Sequence, residues 1–429
     1  MRVALVNPPW SFHGSIYFGC QDPHLPLELG YAACLLRHGG HEVLLVDGHL
    51  MGQSMEQLAE EVAAFSPTMT VITTAPSYLF WRCPPPELRV PLAFVRRLAG
   101  RGGTLVAVGP HGSTTPRATL EKLGVDLVVM GECEEVLAAL ARAGDPHLVP
   151  GVAWLEAGAL RQNGGPQASS FVSHPPLAWP DEWVSRHWHH HHRFDAAPEG
   201  AGAEVEASRG CPFACSFCAK IDYRDAYRKR ELTKTLPEID ALIDQGVTYL
   251  YFIDEIFLPR RDLLEALVER PIKFGVQTRI DLWKPDLIEL LGRAGCVSIE
   301  AGVESLSVEG RAALNKRCKL DNEELTQLLL HARRFVPFVQ ANLLGTKEDD
   351  PEEVAAWRQR LEKSGVWSND PVPLFPYPAS PNYRELWGFP DDQAWERAHA
   401  YYLKAFERFS DIQDERPLEL PLLEAQAWQ

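Results

Sequence analysis

Short apolar runs alternate with amphipathic stretches along the first third of the chain. Runs such as Val3–Val6 and Met69–Thr73 are continuous, as in strands that are buried on both faces. Between the runs, stretches such as Leu27–Arg37 and Met55–Phe65 repeat apolar residues at helical spacing. This alternation predicts a doubly wound α/β domain over residues 1–145, with a parallel sheet whose carboxyl-end loops form a ligand crevice.

The pattern changes over residues 146–200, where we predict a linker. It contains one small strand, Val149–Leu155, followed by a Gly- and Gln-rich turn at Gly158–Gln167. A histidine-rich segment follows, with His187 and the run His189–His192. The run lacks the spacing of a zinc site, so we expect the segment to cross between two domains and cover their interface. A histidine here is a candidate for proton transfer or substrate contact.

Alternation of strands and helices resumes over residues 201–375 and predicts a partial (β/α)6 barrel. The six predicted strands are Ala203–Arg209, Val247–Ile253, Phe274–Thr278, Val297–Ala301, Val339–Leu344 and Val372–Pro376. Residues 376–429 are predicted to form a helical extension, and we expect its aromatic side chains to pack on the barrel.

Composition narrows the class of protein. The net charge of −16 disfavours a nucleic-acid partner, because phosphate backbones require basic surfaces. No apolar run reaches the length of a membrane span, and the amino terminus lacks the pattern of a signal peptide. Nine cysteines in a chain of this length are typical of a reducing compartment. We therefore expect a cytoplasmic protein without a membrane or nucleic-acid partner.

Three cysteines, Cys211, Cys215 and Cys218, lie in a C-x3-C-x2-C spacing directly after the first predicted barrel strand. Thiolates this close together on one loop can bind iron or zinc. A structural zinc ion normally has four protein ligands, and the nearest further candidate, Lys220, is a poor one. The spacing therefore favours a [4Fe-4S] cluster with one open iron over a zinc site.

With Phe217 directly before its last cysteine, this loop resembles that of the radical S-adenosylmethionine (SAM) superfamily. The resemblance implies that SAM binds the open iron at the carboxyl end of the barrel, where such folds place their chemistry. It also implies a set of SAM-binding residues at the cluster loop and at successive strand ends: Phe217, Asp254, Glu255, Arg279, Glu304 and Ser305.

The segments that precede the cysteines resemble the Rossmann-like cobalamin-binding domain of B12-dependent radical SAM enzymes. The matching segments are Val6–Pro9, Leu25–Tyr31, His41–Asp47, Val108–Pro110 and Gly131–Glu134. The resemblance implies cobalamin contacts from the carboxyl-end loops: Thr74, Ser77, Tyr78, Gly109, Pro110, His111, Gly131 and Glu132. The alternative is a doubly wound domain that binds no ligand.

One further motif concerns the cobalt. Asp47–Gly52 fits D-x-H-x-x-G, which presents a histidine to cobalt in other cobalamin enzymes. In those proteins the histidine follows the first strand, whereas His49 follows the second. We therefore interpret His49 as a packing residue and expect cobalamin to bind without a histidine on its lower face. That face would meet the loop Leu79–Arg82. The nucleotide tail would enter the crevice near Thr74–Ser77, Gly109–Ser113 and Gly131–Glu132.

The resemblance implies a reaction in which a 5′-deoxyadenosyl radical removes hydrogen from an unactivated carbon, and methylcobalamin supplies a methyl group to the carbon radical. It implies a small-molecule substrate and a reductant such as flavodoxin or ferredoxin. Two alternatives stay open at this point. One is cobalamin-dependent oxidation, cyclisation or rearrangement without methyl transfer, and the other is a non-catalytic cobalamin-binding or redox-sensing module.

Overall fold

The computed structural model describes residues 1–16, 22–76, 84–187, 200–220, 222–405 and 416–428. Two sheets organise this part of the chain. The first has seven strands in the order β2-β1-β3-β4-β5-β6-β7. Its strands are β1 (Arg2–Asn7), β2 (Glu42–Asp47), β3 (Met69–Thr73), β4 (Thr104–Val108), β5 (Leu127–Val129), β6 (Val152–Glu156) and β7 (Ala159–Asn163). Its helices are α1 (Leu27–His38), α2 (Met55–Phe65), α3 (Arg89–Leu98), α4 (Pro110–Thr114), α5 (Pro116–Leu123) and α6 (Glu134–Arg142).

The first five strands are parallel and form the predicted doubly wound sheet. Because successive residues of a strand point to opposite faces, β1 contributes to two apolar layers. Leu5 packs in one layer with Leu36 of α1, and Val6 packs in the other with Phe94 of α3. The order 2-1-3-4-5 places the topological switch point between β1 and β3, so the loops after these strands border the ligand crevice.

The prediction of a turn over residues 158–167 was wrong. Most of this segment is strand β7 (Ala159–Asn163), which forms an antiparallel hairpin with β6. Ala157 and Gly158 both have positive φ values, 49° and 78°, as in the tight turns that connect hairpin strands. The side chains of β7 are mostly exposed, so the strand carries no hydrophobic signal. Since β6 pairs with β5, the hairpin extends the first sheet, and the early part of the predicted linker belongs to that sheet.

The second sheet has six strands in the order β15-β14-β13-β12-β11-β8, and all neighbours are parallel. A short helix, α7 (Asp181–Arg186), precedes it. Its strands are β8 (Ala201–Val205), β11 (Val247–Phe252), β12 (Lys273–Thr278), β13 (Cys296–Glu304), β14 (Phe338–Leu343) and β15 (Trp367–Ser368). A separate two-stranded sheet consists of β9 (Ser208–Arg209) and β10 (Arg228–Lys229). The helices are α8 (Leu232–Asp244), α9 (Arg261–Val268), α10 (Pro285–Arg293), α11 (Val308–Ala313), α12 (Asn322–Arg333) and α13 (Pro351–Lys363).

Six barrel strands were expected, and six are present, but the sixth is not where the pattern placed it. It is β15 at Trp367–Ser368, whereas Val372 makes only an isolated bridge to Leu344. Pro371 and Pro373 flank Val372 and have no N–H to donate, so a regular ladder cannot form there. The first predicted barrel strand is likewise divided, because β8 ends at Val205 and β9 pairs with β10 instead of continuing the sheet.

The carboxyl-terminal extension contains α14 (Pro381–Trp387), α15 (Ala394–Ala405) and α16 (Leu420–Ala425). We expected it to pack on the barrel, and the structure also attaches it to the first domain. The Lys122 ammonium donates to Glu396 at 2.6 Å and to Glu424 at 2.9 Å, and the Trp395 indole donates to Thr115 at 3.1 Å. The extension therefore holds the two sheet-containing halves together.

No helix in the described ranges is both long enough and apolar enough to cross a membrane.

Candidate active site between the two sheets

The three motif cysteines lie together on the loop that follows β9. Each thiol is half-buried and free of disulfide bonds. The loop closes on itself, since the Cys218 amide donates to the Cys215 carbonyl at 3.3 Å and the Lys220 ammonium donates to the Cys211 carbonyl at 2.7 Å. Lys220, the poor fourth-ligand candidate, therefore serves to hold the loop. Three thiols without disulfide bonds on one closed loop are a donor set that fits a cluster with an open iron.

Gly210 sets the entry to this loop. Its φ of +81° lies in the region that favours glycine, and a Cβ at this position would be 2.1 Å from the carbonyl oxygen of Ala226. Any side chain here would displace the backbone immediately before Cys211. Glycine is therefore required for the loop to turn towards the barrel end.

Asp254 and Glu255 follow β11 and fix the same entry. Asp254 accepts from the Ala207 amide at 2.8 Å and from the Ser208 hydroxyl at 2.5 Å. Glu255 accepts from the Gly210 amide at 2.7 Å. Burial raises the pKa of Asp254 to about 7 and also raises that of Glu255. Both carboxyl groups position the cluster loop in this structure, and a contact of either with SAM stays a prediction.

Arg279 follows β12 and lies beside the cluster loop. It donates two bonds to Asp281, at 3.1 and 2.8 Å, and its guanidinium is 4.2 Å from the centre of the Phe213 ring. Burial lowers the pKa of Arg279, but the Asp281 carboxylate raises it, and Cys215 and Glu304 add smaller effects in the same direction. The net result is a raised pKa for the guanidinium. Its remaining nitrogen, Nη1, is buried and has no hydrogen-bond partner among the described residues. That nitrogen is suited to bind an anionic group of a ligand.

Glu304 ends β13 in a strained conformation, with a φ of +64° that few non-glycine residues adopt. Its carboxylate pairs with Lys316, which the sequence interpretation missed and which also donates to the Gly302 carbonyl at 2.9 Å. Ser305 donates to Asp349 at 2.8 Å, and Asp349 thereby ties the loop after β14 to this strand end. The predicted strand ends therefore converge on one site, and Lys316 completes it.

Burial raises the pKa of the Cys215 thiol to about 11, with Glu304 acting in the same direction and Lys316 and Arg279 acting against it. Arg279 and Glu304 are among the residues predicted to bind SAM, so the Cys215 thiol lies close to these two strand ends. Burial also raises the pKa of Cys211. Phe217 is half-buried between Ser216 and Cys218.

A network of buried charges joins this site to the first domain. Arg209, directly before the cluster loop, is fully buried and donates to Glu132 at 3.0 Å, Glu134 at 2.6 Å and Glu206 at 2.7 Å. Glu132 and Glu134 belong to the first domain, and Glu206 to the second. Arg224 extends the network to Glu206 at 2.8 Å and to Glu255 at 3.0 Å. The sequence patterns did not reveal this network, because its members are far apart along the chain.

The opposite charges in this network keep one another ionised despite their burial. Burial alone would raise the pKa of Glu206, but Arg209 and Arg224 lower it to about 2. Burial likewise opposes the charge of Glu132, and Arg209 and Arg228 bring its pKa to about 2. Glu132 was predicted to contact cobalamin. Its carboxylate pairs with two arginines of the second domain, and a contact of Glu132 with cobalamin stays a prediction.

The other predicted cobalamin residues that the structure describes lie at the carboxyl edge of the first sheet. Thr74 follows β3, at the switch point, and its buried hydroxyl has no hydrogen-bond partner among the residues that the structure describes. Gly109, with a φ of 126°, and Pro110 form the turn from β4 into α4. Gly131, after β5, has a φ of 84°, and a Cβ there would be 2.2 Å from the Gln167 carbonyl oxygen. Ser77 and Tyr78, and the loop Leu79–Arg82, lie outside the described residues.

His111 lies on α4 under this edge. Its Nε2 bonds to the Pro85 carbonyl at 2.9 Å, and its ring lies 4.4 Å from that of Trp395 in the carboxyl-terminal extension. Burial lowers its pKa to about 3, so the imidazole is neutral at physiological pH. Its Nδ1 is buried without a partner in the described ranges. Thr74 and His111 each have a buried polar atom without a hydrogen-bond partner in the described residues, and the nearby turns contain glycine. These features fit a large ligand at this edge.

The D-x-H motif lies beside this edge. Asp47 is buried and accepts from Asn7 at 2.7 Å and from the Leu50 amide at 2.8 Å, so it closes the turn after β2. His49 is half-buried and meets Phe12 edge-on at 5.9 Å. Because β2 lies on the far side of β1 from the switch point, this geometry agrees with a packing role for His49. Whether His49 reaches a cobalt ion stays a prediction.

The comparisons with known proteins agree with this geometry. The Radical SAM superfamily profile matches residues 205–361. The anaerobic magnesium-protoporphyrin IX monomethyl ester cyclase of Cereibacter sphaeroides is 24% identical over 90% of this chain, which spans 64% of that relative's length. The hopanoid C-3 methylase of Methylococcus capsulatus is 25% identical over 99% of this chain and 78% of its own.

Solved structures share the fold. The radical S-adenosylmethionine methyltransferase TsrM from Kitasatospora setae, solved with tryptophan and a SAM analogue, superposes with a TM-score of 0.72 at 19% identity, covering 90% of this chain and 75% of its own. The cobalamin-dependent S-adenosylmethionine radical enzyme OxsB, solved with aqua-cobalamin, gives a TM-score of 0.67 at 18% identity, covering 86% and 53%.

The profile match shows that residues 205–361 of this chain form a radical SAM domain, and the cysteine loop and the strand-end residues lie within it. The chain as a whole has the two-domain fold of the solved cobalamin-dependent radical SAM structures, with a Rossmann-like sheet before the barrel. The predicted fold class and superfamily are confirmed.

Proposed function

We propose that this enzyme transfers a methyl group from methylcobalamin to an unactivated carbon of a small-molecule substrate, with SAM and a [4Fe-4S] cluster as further cofactors. One observation carries the proposal. The buried network of Arg209 and Arg224 connects the cluster loop directly to the carboxyl-edge loop and α6 of the first sheet. Ligands held at the two edges would therefore share one cavity, as transfer between two cofactors requires.

Specific residues would hold these groups. Cys211, Cys215 and Cys218 would ligate three irons, and the free Nη1 of Arg279 would bind the methionine carboxylate of SAM. Glu304, held by Lys316, would face the ribose or the amine of SAM. When bound, the cluster and SAM supply hydrogen-abstracting radical chemistry, and cobalamin supplies the methyl group.

At the other edge, Thr74 and His111 would donate or accept at the cobalamin through Oγ1 and Nδ1, which have no hydrogen-bond partner in the described part of the chain. The turns at Gly109 and Gly131 would let the backbone approach the ligand closely. Relatives support methyl transfer as the reaction, since the hopanoid C-3 methylase and TsrM are named as methylating enzymes. Tryptophan in the TsrM structure supports a small-molecule substrate here.

A second candidate is cobalamin-dependent oxidation or cyclisation without methyl transfer. It is favoured by the similarity to the anaerobic magnesium-protoporphyrin IX monomethyl ester cyclase, which extends over 90% of this chain. The two reactions use the same cofactors at the same edges, so the site geometry suits both. The mass of the product separates them, because only methyl transfer adds a methyl group.

The test is anaerobic turnover of the reconstituted enzyme with SAM, methylcobalamin and candidate substrates, first with dithionite and then with flavodoxin or ferredoxin as the expected electron donor. We expect 5′-deoxyadenosine and a product heavier by one methyl group. The triple variant Cys211→Ala/Cys215→Ala/Cys218→Ala should lose the cluster and all SAM cleavage. Cys318→Ala, a half-buried thiol outside the loop, is the matched control and should retain both. Stoichiometric iron and sulfide in the triple variant would overturn the proposal.

A further inference from the structure

A second cluster of metal-ligating side chains lies apart from the cysteine loop. His24, His187 and Glu204 bring one ligand atom each within 4.8 Å of one another. The Glu204 carboxylate contacts Nδ1 of His24 through one oxygen, and Nε2 of His187 through the other at 2.8 Å. The three residues come from different parts of the chain, and only their convergence in the fold makes them a group.

This group lies in the interior of the protein. The Glu204 carboxylate is completely buried and lies between two imidazoles, which are themselves almost completely buried. Imidazole nitrogens and carboxylate oxygens are the donor types that zinc accepts in proteins, so the three side chains together offer the ligands of a metal site.

The arrangement of the rings fits a shared ion. With metal–nitrogen bonds of about 2.0–2.1 Å, two imidazoles on one ion have centroids about 5.2 Å apart at a tetrahedral angle and about 5.5 Å apart at about 120°. The centroids of His24 and His187 are 5.7 Å apart, and their planes are inclined by 65°. Little movement of either ring is therefore needed to admit an ion between them and Glu204.

We propose that His24, His187 and Glu204 bind one divalent transition-metal cation of the zinc class. Two imidazoles and one carboxylate are a ligand set that zinc uses in proteins, with a fourth position left for water or a ligand. His24 lies in the loop after β1, at the carboxyl edge of the first sheet, and Glu204 lies one residue before the end of β8. The ion would thus fasten the segment after α7 and the first domain to the first barrel strand.

This site is distinct from the cysteine loop and does not depend on the proposed methyl transfer. The experiment measures zinc by mass spectrometry and titration in the full-length chain after chelation, so it needs no turnover. The triple cysteine-to-alanine variant serves as the background, because free cluster thiols would themselves bind zinc. We expect one tightly bound zinc per chain in this background and a rise in melting temperature when zinc is added.

Glu204→Gln keeps the shape of the side chain and removes the anionic ligand. We expect it to weaken zinc binding at least about 100-fold, since changes in outer-shell groups alone cost 10- to 100-fold. His24→Gln is the second variant, should the first fail to fold. His174→Asn is the matched control, because it removes a buried imidazole that bonds to Glu135 at 3.0 Å, and it should bind zinc normally.

All these variants retain the histidine run at 189–192, so zinc held by the run would remain in every one of them. Equal zinc binding in Glu204→Gln and in the control would overturn the proposal. So would a background protein that binds no zinc. Failure of the methyl-transfer assay would leave this result unchanged, and the two proposals can therefore fail separately.

Discussion

Replacement of Arg209 by methionine tests the buried network most directly. The side chain is fully buried, and its guanidinium contacts three carboxylates that are each about 1% exposed. Methionine fills similar space without charge. In the variant, Glu132 keeps Arg228 and Glu206 keeps Arg224. The described hydrogen bond of the Glu134 carboxylate is the one to Arg209, so Glu134 is the group left without its cation.

Removal of one partner from a buried ion pair costs about 3–5 kcal/mol. The expected change in melting temperature follows from the chain length of 429 residues. An unfolding entropy of about 2.1 cal/mol/K per residue gives about 0.9 kcal/mol/K for a chain that unfolds as one unit. Arg209→Met should therefore lower the melting temperature by about 3–6 °C, and by more if a single domain unfolds first.

The assay is thermal unfolding of the reconstituted protein by circular dichroism under anaerobic conditions. Arg360→Met is the matched control, because Arg360 pairs with Glu323 at the surface, where water and salt screen the charges and such pairs contribute little to stability. The double variant Arg209→Met/Glu134→Gln removes the stranded carboxylate and should recover part of the loss. A single variant as stable as the wild type, or a double variant without recovery, would refute the reasoning.

Three further outcomes are expected. Arg279→Lys should weaken SAM binding measured by calorimetry, because an ammonium cannot reproduce the forked contacts of a guanidinium. Unchanged SAM affinity would indicate that Arg279 has only a structural role. The pKa of Glu206 lies near 2, below the value of about 4.3 in an unfolded chain, so the stability from this group should be complete above pH ~4.5 and lost as the pH falls towards 2. An acid titration of tryptophan fluorescence checks this, and Arg209→Met should shift its midpoint to higher pH. In cobalamin-loaded protein, the electron paramagnetic resonance of the cob(II)alamin form should lack histidine superhyperfine splitting, and a splitting that disappears in His49→Ala would contradict the packing role of His49.

Local pattern was sufficient for much of the architecture. The helix Met55–Phe65 and the strand Met69–Thr73 have the predicted bounds, because continuous apolar runs and helical spacing reflect burial directly. The cysteine spacing likewise predicted that three thiols would lie on one short loop, and they do. Where burial did not decide the structure, as in the exposed strand β7 or the proline-flanked Val372, the prediction failed.

The sequence by itself thus determined the class of each domain, most of the strand ends and the three-cysteine loop, all of which depend on residues that are close along the chain. Only the tertiary structure revealed which distant residues meet. It joined Arg209 to Glu132 and Glu134 across the domain interface, paired Lys316 with Glu304, and gathered His24 with Glu204, 180 residues apart. No periodicity or spacing encodes such contacts, because buried charges stabilise one another through distances that the folded chain alone sets.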